Sequence, residues 1–411
     1  MNRVVITGMG TINALGLNVK ESMDNIIKGD NGIDKITRFD ATDFKVRVAA
    51  ELKNFNLEDY FSKQEIRRND RVTLYGLIAA DEAIKMSGIN QGDFDPYRFG
   101  VYFTSGIGGM ETLEEEIINS SIKGASRISP FFIPKAITNI TGAAISIKHG
   151  LKGPNTPIVT ACSASTNSIG EAFRNIKHGY LDLAIAGGAE AAITKVGIGG
   201  FQSLRALSTT ADVNRASIPF DKERSGFVMG EGSGALILEN YDHAIKRGAT
   251  IYGEIIGYGT TGDAHHITAP DESGETIAKA IEFALNEAGL NYTDIDYINA
   301  HGTSTELNDL TETTGIKKAF KEHAYNLNIS STKSMIGHTL GAAGAIESIV
   351  TLKALELDLC PPTINIKEVD PSLDLNYTIN KTVYKNVNYA LTMNLGFGGH
   401  NAVLIYKKGV R

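Results

Sequence analysis

Short apolar runs that end in glycine recur along the chain. Val4-Val5-Ile6-Thr7-Gly8, Val101-Tyr102-Phe103-Thr104-Ser105-Gly106 and Leu183-Ala184-Ile185-Ala186-Gly187-Gly188 are examples. Apolar runs of this length, bounded by turn residues, predict strands buried inside the protein. Stretches of helical pattern separate them, at about residues 83–89, 167–176, 284–290 and 340–354. Buried strands alternating with helices place the chain in the α/β class.

The order of these elements occurs twice. A helical stretch at 83–89 leads through an Asp-containing loop into a strand at 100–104, and a second at 284–290 leads the same way into a strand at 297–300. A small-residue turn that opens a helix comes next, at Cys162 in the first half and at Ser330-Ser331-Thr332-Lys333 in the second. Each half then has an apolar run entering glycine, 181–188 and 389–399. Two copies of one α/β unit would give this order, as would chance in any α/β chain. A duplication would have its join near 247–252, giving halves of 1–250 and 251–411.

Composition narrows the function classes. A chain of 411 residues, 42% hydrophobic and 21% charged, is ordinary globular material with room for a large core. The net charge of -7 argues against nucleic acid as a partner, and an acidic protein partner would need a local basic patch. Cys162 and Cys360 are the two cysteines, which is no disulfide framework and suits a reducing compartment. The apolar run after Met1 is too short for a signal-peptide core, and no uninterrupted apolar stretch nears the ~18 residues of a membrane span. A cytoplasmic protein away from membranes is expected.

Candidate chemistry begins at Thr160-Ala161-Cys162-Ser163-Ala164-Ser165. The apolar segment before it and the helical pattern after it place Cys162 where a strand ends and a helix begins. A helix N-terminus favours thiolate, so a lowered pKa is expected, with a buried structural cysteine as the alternative. His301, in Asn299-Ala300-His301-Gly302-Thr303-Ser304-Thr305, follows a strand and so falls where α/β proteins place their sites. His338 closes Ser331-Thr332-Lys333-Ser334-Met335-Ile336-Gly337-His338 and precedes Gly341-Ala342-Ala343-Gly344, whose small residues permit close approach of backbone to a ligand. Gly396-Phe397-Gly398-Gly399 could aim backbone N–H groups at an oxyanion or could be a tight turn between strands. No His or Cys spacing fits a zinc pattern, and His265-His266, if on a strand, would point to opposite faces. Gly8-Met9-Gly10 lacks the third glycine of a dinucleotide fingerprint, where Asn13 stands. No metal and no cofactor is expected.

Taken together, these four motifs resemble those of the β-ketoacyl-acyl-carrier-protein synthases, and the similarity runs nearly from end to end. It looks closest to the type II elongating enzymes of bacterial fatty-acid synthesis. The resemblance implies the thiolase fold, two similar halves in five α-β-α-β-α layers. It implies that Cys162 takes an acyl chain from acyl carrier protein, with the N–H groups of Cys162 and Phe397 as oxyanion hole. Neutral His301 and His338 would stabilise the enolate left when malonyl carrier protein loses carbon dioxide, with Lys333 polarising the site. Phe397 would gate between the acyl and malonyl sites. Ile107 would line the acyl pocket, and His266, Thr268, Thr303, Thr305 and Gly398 the rest of the substrate pocket. Lys63, Arg67, Arg68, Arg127 and Arg205 match basic positions near the entrance where an acidic carrier would dock, or are simply solvated charge. A homodimer is implied, with Phe131-Phe132 close to the partner's pocket.

Two departures from the family pattern stand out. Leu395 takes a position often held by Phe, and Glu306-Leu307-Asn308 replaces a Pro-containing stretch that is expected to alter only a loop. Cys360, in Leu359-Cys360-Pro361-Pro362, reads as a packed turn and not as a second nucleophile. A specialised polyketide or polyene ketosynthase, and a non-condensing subunit like a chain-length factor, remain alternatives to the elongating enzyme.

Overall fold

The computed structural model describes residues 1–409. Its main strands are β1 (Val4–Ile12), β2 (Phe99–Thr104), β3 (Leu183–Glu190), β4 (Gly232–Asn240), β5 (Gly253–Gly262), β6 (Tyr297–Asn299), β7 (Asn328–Ser330), β8 (Tyr389–Gly396) and β9 (His400–Lys408). Among the described residues they are hydrogen-bonded in the order β2-β3-β4-β1-β5-β9-β8-β6-β7. The seam is the antiparallel pairing of Val4–Ile6 with residues 253–255. On either side of it the strands repeat one order. β1, β4, β3 and β2 run outward in one half, and β5, β9, β8 and β6 in the other. β7 finishes the second series, and a single parallel bridge from Val101 to Asn155 stands in its place in the first.

Six helices complete the layers: α1 (Arg71–Ser87), α2 (Met110–Lys123), α3 (Ala164–Lys177), α4 (Glu275–Ala288), α5 (Glu306–Phe320) and α6 (Ala343–Leu357). α3 and α6 pack against each other between the two halves, burying Ile169, Phe173, Ile346 and Ile349 in one cluster with Ile6 and Tyr258. α1 covers the outer face of the first half, and α4 and α5 that of the second. This is the thiolase fold in five layers.

The duplicated helix-on-strand contact explains the early glycines. A Cβ at Gly8 or Gly10 would lie 2.1 or 2.0 Å from the carbonyl oxygens of Ala83 or Ala79 in α1. Gly257 and Gly259 of β5 face Ala284 and Ala280 of α4 in the same way, at 2.2 and 1.9 Å. Close packing, not a nucleotide, requires Gly8 and Gly10. Inserting a methyl there would push the helix off the strand at about 1–3 kcal/mol.

Three local expectations are corrected. Residues 155–160 form no regular strand before Cys162 beyond the one bridge, because Pro154 and Pro157 withdraw ladder donors. α3 starts at Ala164, directly after the tight turn Ala161–Ser163, and not at residue 167. His265 and His266 lie in a loop beyond the end of β5, not on a strand.

Candidate active site

A cavity of about 310 Å³ opens where the two halves meet, with Cys162, His301, His338 and Phe397 on its wall. Cys162 sits in the turn between the irregular segment 155–160 and α3. Ala161 beside it has φ +51°, a conformation uncommon for a residue with a Cβ. Gly396 lets the loop after β8 lie over this turn, since a Cβ there would be 2.5 Å from the Thr160 carbonyl oxygen. The backbone N–H groups of Phe397 and Cys162 both hydrogen-bond toward Sγ.

Burial dominates the sulfur's electrostatics and pushes the thiol up to about 12. The Lys333 ammonium and the two N–H groups pull it down, and Glu190 pushes it up. The lowered pKa expected of a helix N-terminus is therefore not found. A partial dipole charge cannot offset removal of the thiolate from water in this enclosed site.

His301 follows β6, and His338 follows the short helix Lys333–Ile336. Both are buried, with ring centroids 5.2 Å apart and planes at 87°. Burial, and then the nearby Lys333 charge, hold both imidazoles well below the usual histidine range, so both are neutral. His338 Nδ1 accepts the Leu340 N–H at 3.2 Å, which leaves its own proton on Nε2. His301 Nδ1 lies 3.2 Å from Asn394 Nδ2.

The Cys162 sulfur and a nitrogen of each ring lie within 4.8 Å of one another. Sequence spacing gave no hint of this convergence. The donor types suit a soft metal, but the lone pair that a metal would need on His338 Nε2 is occupied by the proton.

Lys333 does not line the cavity. It is fully buried behind the histidines and paired with Glu347, whose carboxyl is raised by burial against the pull of that ammonium. Two further buried carboxyls hold the loops. Glu312 accepts the N–H groups of His301 (2.5 Å) and Gly302 (2.7 Å). Glu190 accepts those of Gly106 (2.8 Å) and Gly341 (3.0 Å) and the Ser105 hydroxyl (2.7 Å). Burial raises Glu312 to about 8 and Glu190 to about 7.

The other expected residues divide. Thr268, Thr303, Thr305 and exposed Arg205 line the cavity, and so does Leu395. Ile107 does not. It is half-buried one layer back, against the cluster that contains Leu340. His266 is exposed and shapes its own loop, its Nδ1 accepting the N–H groups of Thr268 and Ala269 at 3.1 Å. Gly398 is exposed, at φ +93°, and donates its N–H to the Ile267 carbonyl at 2.6 Å, tying the two loops together. Leu307 and Asn308, expected to matter only to a loop, lie in the first turn of α5 and line the cavity. Cys360 is buried in a two-residue strand, Leu359–Cys360, and burial pushes its thiol up to about 12. Lys63, Arg67, Arg68 and Arg127 are exposed, with the Arg68 guanidinium 5.9 Å from the centre of the Phe131 ring.

The N-terminal domain of beta-ketoacyl synthases matches residues 1–244, and the C-terminal domain of the same family matches residues 252–367. The chain belongs to the beta-ketoacyl synthase family. It is 50% identical over 406 residues to 3-oxoacyl-[acyl-carrier-protein] synthase 2 of Staphylococcus aureus, covering 99% of this synthase and 98% of that one. A beta-ketoacyl synthase from Burkholderia phymatum superposes with a TM-score of 0.92 at 35% identity, over 100% of both chains. A ketosynthase solved in complex with its type II polyketide acyl-carrier protein, bound to the hexaketide, gives 0.92 at 32% identity over 100% of both chains.

The motifs did not reveal the buried groups that hold His301, His338 and Lys333 in this synthase. Glu190 and Glu347 carried a usable signal, Glu190 as the one acid in Leu183–Glu190 and Glu347 as the one charged residue in the otherwise uncharged stretch 343–352. Asn394 and Thr166 carried none.

Proposed function

We propose that the chain catalyses decarboxylative Claisen condensation, joining an acyl chain held on Cys162 to malonyl-acyl carrier protein in fatty-acid elongation. The observation that carries this reading is one sulfur under two backbone N–H groups, facing two neutral imidazoles in a single cavity. In loading, Cys162 Sγ attacks the acyl thioester while the Cys162 and Phe397 N–H groups hold the oxyanion. The carrier's thiolate leaves and takes up the thiol's proton. In the second half-reaction the malonyl C–C bond breaks and carbon dioxide departs. The electron pair moves onto the thioester oxygen, where His301 and His338 donate N–H bonds. The enolate carbon then attacks the acyl-Cys162 carbonyl. Collapse expels the Cys162 thiolate, which is reprotonated, and releases 3-oxoacyl-acyl carrier protein. Burial keeps the histidines neutral, with the Lys333 charge adding to it, and the same charge offsets part of the burial that raises the thiol.

Cys162→Ala should abolish both the covalent acyl adduct seen by intact mass spectrometry and the condensation product. An adduct of undiminished mass and yield in that variant would sink the proposal. The 50% identity to a 3-oxoacyl-[acyl-carrier-protein] synthase 2 favours elongation over a specialised polyketide role, and retention of Cys162 disfavours a chain-length-factor role.

Acyl carrier protein is the proposed partner, docking on Lys63, Arg67, Arg68, Arg127 and Arg205. Arg67→Glu with Arg68→Glu should raise KM for carrier-bound substrate several-fold and leave small thioester mimics unaffected; equal effects on both would argue against this surface. A homodimer is supported by an exposed apolar face beside Phe131, with Ile117 60%, Ile122 75% and Ile133 59% exposed. Halves of 1–250 and 251–411 would then supply Cys162 and the histidines respectively. Both cysteines are free, and no helix among the described residues is long and apolar enough to cross a membrane. A cytoplasmic location fits the free thiols.

A further inference from the structure

A closed network of buried side chains stands behind His301. The Thr166 hydroxyl donates to Asn394 Oδ1, and Asn394 Nδ2 donates to Glu347 Oε2 at 2.7 Å. The same Nδ2 lies 3.2 Å from His301 Nδ1, and the other Glu347 oxygen pairs with Lys333. Thr166 and Asn394 are wholly buried. The amide has one workable orientation, because turning it over would set Oδ1 against the Glu347 carboxylate, two acceptors in contact. One amide hydrogen therefore goes to Glu347, and the other is left for His301 Nδ1. A nitrogen that accepts carries no proton, so the proton of the neutral ring sits on Nε2. The backbone leaves room for this contact: a Cβ at Gly344 would lie 1.9 Å from Thr166 Oγ1 and 2.8 Å from Asn394 Oδ1.

The two histidines thus differ in what orients them. His338 relies on the Leu340 backbone N–H, and His301 on a side chain. We propose that Asn394 is a positioning residue that holds His301 as the Nε2–H tautomer, so that it donates to the enolate oxygen in decarboxylation. The proposal rests on the condensation reading above. Asn394→Asp presents oxygen to His301 Nδ1, since any proton on the acid is drawn to Glu347. The ring proton then moves to Nδ1, and Nε2 turns a lone pair toward the negative oxygen. Loading of Cys162 uses the Cys162 and Phe397 N–H groups and does not depend on this tautomer.

The test follows three readouts on the full chain: carbon dioxide release from malonyl carrier protein, acyl adduct formation on Cys162, and histidine 15N spectra. In Asn394→Asp, decarboxylation should fall ~100-fold or more, the loss typical of one oxyanion donor, while loading changes little. Thr166→Val, which only loosens the amide, should produce a smaller loss in the same direction. The wild-type spectrum should show His301 protonated on Nε2, shifting to Nδ1 in the Asp variant. A wild-type His301 protonated on Nδ1 overturns the proposal whatever the variants do, including variants that fail to fold. Wild-type decarboxylation in Asn394→Asp overturns it too, as does equal loss of both half-reactions with the tautomer unchanged. A wild-type enzyme that releases no carbon dioxide refutes the condensation reading, while its spectrum still decides the role of Asn394.

Discussion

The two walls of the cavity are made by opposite means. On the Cys162 side, backbone geometry carries the chemistry: a turn with Ala161 at φ +51°, the start of α3, and two N–H groups directed at one sulfur. On the histidine side, side chains carry most of it: Lys333, Glu347, Asn394 and Glu312 form buried bonds around His301 and its loop, while His338 is held by the Leu340 backbone N–H. The contrast teaches that the two half-reactions respond to different kinds of change. Loading is vulnerable to altered loop geometry, and decarboxylation to altered side-chain partners.

The sharpest break would come from His338→Ala. It should lower malonyl decarboxylation ~100- to 1000-fold, as removal of one oxyanion donor does, while the acyl adduct on Cys162 still forms. Equal loss of both steps would erase the distinction between the walls. Gly396→Ala probes the other wall, since its added Cβ meets the Thr160 carbonyl at 2.5 Å and must shift the Phe397 N–H. Acylation of Cys162 should slow roughly 10- to 100-fold, with decarboxylation less affected; single-turnover loading measures it, and unchanged loading would remove Phe397 N–H from the oxyanion hole.

The smallest effect concerns stability. Glu312 is raised from 4.5 to about 8 in the folded protein. Below pH 4.5 it is neutral in both states, and its contribution is complete. As pH rises toward 8 the unfolded chain releases a proton that the folded chain keeps, so stability declines through this window. Relative to wild type, the Tm of Glu312→Gln should rise across the same window when followed by calorimetry. A constant difference would mean that Glu312 titrates normally.

The sequence made Cys162, His301 and His338 legible because each lies among small turn residues, Cys162 and His301 at the end of an apolar run and His338 ahead of a Gly/Ala-rich helix start, which are local patterns. The repeated element order was legible for the same reason. What escaped was set by tertiary burial. Desolvation of Cys162 depends on walls drawn from residues 160 to 400. The Glu347 partner of Lys333 lies fourteen positions away on a different helix. Asn394 is one polar residue among many until β8 brings it against Thr166 and His301. The strand expected before Cys162 failed for a local reason that was readable, the two prolines at 154 and 157. The sequence reads Leu307 and Asn308 as loop because a change in sequence pattern does not say which side of a helix start faces a cavity.

The Lys333–Glu347 pair is sealed from solvent, whereas Arg67, Arg68, Arg127 and Arg205 stand in it. Mobile ions gather around exposed charge and screen it within about 10 Å at 0.1 M salt, but they do not enter a closed interior. With the carrier docking proposed above, ionic strength would act on how often the protein meets a charged carrier and leave the bond-making step untouched. Salt would then be a dial for encounter alone.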